Sequence, residues 1–73
     1  MPRYFFHVKD GTALPDNDGL ELRDSDEARA EAVIAAGEAL RDAGPRFWRH
    51  GEWQMVVTSD TGETVCTLRF SGG

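Results

Sequence analysis

The chain has 73 residues, 40% of them hydrophobic, and carries thirteen Asp and Glu against eight Lys and Arg for a net charge of −5. That length allows one small domain, and the charge works against nonspecific adhesion to nucleic acid or an anionic membrane. The one cysteine, Cys66, excludes an internal disulfide and suits a reducing cytoplasm.

A domain this small hides only about 60% of the surface its unfolded chain exposes, so a partner subunit is the natural added support. The acidity is uneven. Residues 1–44 hold ten acidic side chains against five basic ones, and residues 45–73 hold three of each. Solvation explains the acidic half, and attraction of a basic partner is the sharper alternative. The opening Met1-Pro2-Arg3-Tyr4-Phe5-Phe6-His7 lacks the pattern of a signal peptide, and no apolar run approaches a membrane span.

Arg3 to Lys9 is aromatic and β-rich and predicts a first strand, with Tyr4, Phe6 and Val8 on one face and Phe5 and His7 on the other. Asp10-Gly11 ends it, and residues 12–18 form a polar loop with room for a short strand at Thr12–Leu14. Gly19 to Arg23 alternates as a second strand with Leu20 and Leu22 facing the core. Asp24 to Gly44 is the one stretch with sustained helical period. Asp24 suits the cap, with Glu27 reaching back to it, and Gly44-Pro45 suits the end. Ala28, Ala32, Ala36, Ala39, Leu40 and Ala43 fall on one stripe, which lets the axis approach a sheet closely. Ile34 sits opposite that stripe.

Pro45 suits the first position of one more helical turn, with Phe47 and Trp48 folded over the open end of the core. Glu52 to Thr58 predicts the third strand, with Trp53, Met55 and Val57 on one face. Ser59-Asp60-Thr61-Gly62 is a hairpin turn in which Gly62 supplies the positive φ. Glu63 to Phe70 returns as the fourth strand, with Cys66, Leu68 and Phe70 on one face, before a loose end at Ser71-Gly72-Gly73. The expected fold is α+β: an antiparallel sheet of about four strands, ordered β-β-α-β-β along the chain, with one helix on one face.

One helix covers one face, so the other must be accounted for. It would carry Phe5, His7, Gln54, Val56, Thr58, Val65, Thr67 and Arg69. Phe5, Val56 and Val65 are more apolar than a solvated face needs, so Phe5, His7, Val56, Val65 and Thr67 are the candidate interface, most simply with a second copy. Scattered apolar residues on an exposed face are the ordinary alternative.

Chemical motifs are sparse. Asp16-Asn17-Asp18-Gly19 looks like part of a calcium loop, but that register needs ligation from Leu14 and Ser25 at the ends. His7, His50 and Cys66 lack zinc spacing. His7 at a dimer seam would make pairing sensitive to pH near about 6.5, and Cys66 reads as a small core residue. No nucleophile elbow, Cys–base pair or glycine-rich phosphate loop is present, so neither enzyme activity nor a cofactor is expected. Arg46, Trp48 and Arg49 form the one basic and aromatic stretch, a candidate patch for an anionic ligand, or a core cap with its arginines turned outward.

The opening MPRYFFHVKDG, the stretch PDNDGLELRDSDEARAEA and the closing TGETVCTLRF resemble a group of very short alphaproteobacterial proteins that begin MPRYFFH and form a domain family of unknown function. The resemblance covers nearly the whole chain. It implies a stand-alone bacterial cytoplasmic protein and supplies no catalytic residues. Asp18 to Leu40 is also similar to small antitoxins of ribonuclease toxin pairs, which implies an acidic mask over a basic partner. Those antitoxins usually add a DNA-binding tail, which this chain lacks.

Overall fold

The computed structural model describes residues Met1–Gly73. Its elements run β1 (Arg3–Asp10), β2 (Thr12–Leu14), β3 (Leu20–Glu21), α1 (Ser25–Ala43), a 3-10 helix (Gly44–Arg49), β4 (Glu52–Ser59) and β5 (Thr64–Ser71). All strand pairs are antiparallel, in the order β2-β1-β4-β5, and β3 shares the outer edge of β1 with β2. This is the expected α+β fold with one more strand. The stretch between the first turn and the helix divides into two short strands, one at each end of β1. The predicted second strand shrinks to Leu20–Glu21, and Leu20 is exposed rather than in the core. Its register partner is Tyr4, so it lies on the helix side, but α1 lies across β4 and β5 and away from that edge.

Helix α1 forms where the caps and the alanine stripe predict. Asp24 accepts the Glu27 backbone N–H at 2.9 Å. Glu27 reaches back one residue further than a capping box requires, accepting from the Arg23 backbone N–H at 3.0 Å and its Nε at 2.9 Å. At the other end the Gly44 N–H donates to the Leu40 carbonyl, and Pro45 opens the 3-10 helix.

The helix lies across β4 and β5. Ala28, Ala32 and Ala36 pack against Tyr4, Trp53, Met55 and Val57 to make the core, which holds no polar side chain. Small residues on the helix and large ones on the sheet close the gap between the layers. Only eight residues are buried, a thin core for the sheet it supports. The tail is tied down rather than loose: Ser71 belongs to β5, the Gly72 N–H donates to the Gly51 carbonyl at 2.8 Å, and Gly72 lies against Phe47 and Trp48.

Candidate functional site

The site is the sheet face away from the helix, and register places its residues. Cross-strand partners share a face, so Phe5 with Thr58, His7 with Val56, and Lys9 with Gln54 line up between β1 and β4. Gln54 with Arg69 and Val56 with Thr67 continue the rows into β5. Phe5, His7 and Val56 are half-buried and Thr67 is exposed, and the Phe5 and His7 rings are stacked with centroids 6.3 Å apart.

Val65 leaves this set. Val57 pairs with Cys66 and Thr58 with Thr64, so Val65 is the extra residue of a β-bulge and packs against the helix-side core. A bulge breaks the alternation by one residue. The Arg29 guanidinium, 3.5 Å from the Val65 carbonyl, covers that irregular edge.

One end of the face is closed by a polar lock. Residues 15–19 cross the gap between β2 and β3, where β1 has no strand beside it. Asp16 serves there as a ladder partner: Oδ2 accepts the Phe6 N–H at 3.1 Å, while Oδ1 accepts the N–H groups of Asp18 at 3.0 Å and Gly19 at 3.1 Å. Burial raises the Asp16 pKa, but the N–H donors of Gly19, Phe6 and Asp18, with His7 nearby, outweigh it and hold the carboxyl below its ordinary value. The calcium reading fails because this carboxylate is already occupied by backbone donors.

Thr58, His7 and Asp16 have the order of a hydroxyl–imidazole–aspartate triad. The geometry is wrong for one. His7 Nδ1 accepts the Asp16 backbone N–H at 3.1 Å, so the ring proton sits on Nε2 and points at Thr58 Oγ1, 3.1 Å away. A base with its proton already facing the hydroxyl cannot take one from it. The three residues act as a clasp.

The opposite end is open. A cleft of about 640 Å³ there is lined by Lys9, Gly11, His50, Glu52, Gln54 and Arg69, among others, with the His50 ring packed on Gly11. Most of the basic side chains are engaged elsewhere. Arg3 pairs with Glu21 at 3.0 Å, Arg23 with Glu27 at 2.9 Å, Arg29 with Asp26 at 3.7 Å and Arg41 with Asp42 at 3.9 Å. Arg46 donates to the Ala43 and Asp42 carbonyls at 3.4 and 3.2 Å, capping the C-terminus of α1. Lys9, Arg49 and Arg69 make no such contact, and Lys9 and Arg69 flank Gln54 in the cleft.

The anionic-ligand patch expected at Arg46, Trp48 and Arg49 is therefore not assembled, because Arg46 turns to the helix end. Trp48 does not fold over the core either. It is 67% exposed, edge-on to the half-buried Phe47 at 5.3 Å, beside a shallow groove of about 280 Å³ shared with Leu40 and Phe70. Cys66 packs against the core edge on the helix side, and Ile34 is exposed on the far side of α1. No three His, Cys, Asp or Glu side chains converge as a metal set would. No helix is long and apolar enough to cross a membrane.

The convergence of Lys9, Gln54 and Arg69 is what reading the sequence missed. Alternation puts each on the open face, but their alignment in one row depends on two strand registers that no local pattern encodes.

The model of a family described as a domain of unknown function (DUF6894) matches residues 3–71. No curated protein and no solved structure matches the chain.

Proposed function

The chain belongs to this DUF6894 family of unknown function, and from that premise we propose a cytoplasmic, non-enzymatic interaction module that pairs with a second copy through its open sheet face. The observation that carries this reading is the sheet face with no helix over it, where the half-buried Phe5 and Val56 are diagonal neighbours with threonines around them. Two bulk properties support it. The accessible surface is 4946 Å², against about 4,500 Å² expected for a compact chain of this mass. The Cα radius of gyration is 12.3 Å, against about 11 Å for a compact chain of this length.

Three strands of eight residues abreast make a face of roughly 27 by 14 Å, on the order of 400 Å² in projection. Standard interfaces bury about 800 Å² per partner, so the pairing is small and concentration-dependent. A twofold interface repeats the same patch on both copies, so one substitution counts twice. The half-buried, unpaired Cys66 accords with a reducing compartment.

Light-scattering chromatography at high micromolar concentration tests the pairing. A wild-type dimer is expected, with folded monomers for Val56→Lys and for the more exposed Thr67→Lys. A wild-type monomer overturns the proposal, as does a dimer unchanged by both substitutions.

A further inference from the structure

We infer that the cleft at the open end of the sheet binds a small phosphorylated molecule carrying hydroxyl groups, with Lys9 and Arg69 holding the phosphate. Three observations converge. In a chain of net charge −5, five of the eight Lys and Arg side chains are engaged by carboxylates or carbonyls. Two of the three that remain, Lys9 and Arg69, line the same cleft.

They stand on β1 and β5 in register with Gln54 between them, two strand spacings or about 10 Å apart along the backbone. Side chains as long as lysine and arginine can reach one anion from both sides across that span. A guanidinium offers a two-pronged donor to phosphate and an ammonium a point charge, so the pair suits a doubly charged oxyanion.

Two further residues set the ligand class. Gln54, on the floor of the cleft, offers an amide able both to donate and to accept. Glu52 lines the same space without pairing to either cation. Its carboxylate repels a ligand that is anionic throughout and accepts from hydroxyl groups, so the phosphate must sit on a hydroxylated body. The cleft's 640 Å³ lies within the range of small-molecule sites. His50, packed on Gly11, walls its end.

The cleft lies at the far end of the same sheet face as the pairing patch, and neither Val56 nor Thr67 lines it. Backbone amide NMR titration at low salt, with inorganic phosphate, ribose 5-phosphate and AMP as probes, tests the proposal. The expected result is saturable shifts at Lys9, Gln54 and Arg69, tighter for an ester than for inorganic phosphate. Affinity should fall by about tenfold or more in Lys9→Gln and Arg69→Gln. It should hold in Arg23→Gln, a cation outside the cleft, and in the uncharged Val56→Asn, which weakens the pairing patch without adding a cation beside the cleft.

A stronger response to AMP than to ribose 5-phosphate would identify a nucleotide, and equal responses a sugar phosphate. No saturable shift with any probe up to about 10 mM overturns the inference. So does an equal loss in Arg23→Gln, which would mark the binding as diffuse charge attraction.

Discussion

The two ends of the open sheet face use the same residue chemistry to opposite effect. At the Asp16 end, a carboxylate takes three backbone donors and an imidazole has partners on both nitrogens. At the Lys9 end, an ammonium and a guanidinium line an open cleft with no partner within the fold. Polar groups satisfied internally stabilise the fold and have little left to offer a ligand. Groups left unsatisfied at a cleft add little to stability and remain free to bind. The aspartate of the rejected calcium loop is part of the scaffold, and Lys9 and Arg69 are the cations left facing the cleft.

Substitution should separate the two ends by stability. Asp16→Ala removes the acceptor for three N–H groups at a half-buried position and is expected to cost about 2–3 kcal/mol, a drop of roughly 10–20 °C in midpoint by thermal unfolding. An unchanged midpoint would mean the lock is ornamental. The contribution is also pH-dependent. The carboxyl titrates lower when folded than when unfolded, so its stabilisation is complete above the unfolded value of about 3.9. It fades as pH falls through the folded value. The gap between wild type and Asp16→Ala should therefore narrow below about pH 4 in denaturant titrations.

Gly19→Ala probes the same end through the backbone. Gly19 has φ of +71°, and an added Cβ would lie 2.8 Å from the Phe5 ring. A loss of about 1–2 kcal/mol is expected. A stabilised variant would show that the loop adjusts freely and does not hold Phe5.

The smallest effect belongs to the other end. Lys9→Gln and Arg69→Gln should each change stability by less than about 0.5 kcal/mol while weakening phosphate binding by about tenfold or more. A loss above about 1 kcal/mol for either would make that cation structural and dissolve the contrast.

How legible each part was follows from the range of the interaction involved. The Asp24 cap, the alanine stripe and the Gly44-Pro45 end could be read because a helix is built from contacts within a few residues. The alternation of Tyr4, Phe6 and Val8 against Phe5 and His7 assigned the faces of β1 for the same reason. Val65 was misplaced because its bulge arises from how the hairpin closes against β4. Arg46 was misassigned because nothing local distinguishes an arginine facing solvent from one turned to a helix end.

By itself, then, the sequence determined the helix, the main strands and which side chains share a face, since period and capping are properties of neighbouring residues. Only the tertiary structure decided that Asp16 would complete the edge of β1 and that His7 would hold its proton toward Thr58. It also brought Lys9 and Arg69, sixty residues apart, to either side of Gln54. Each of those outcomes depends on strand register, and register is set by the packing of the whole sheet.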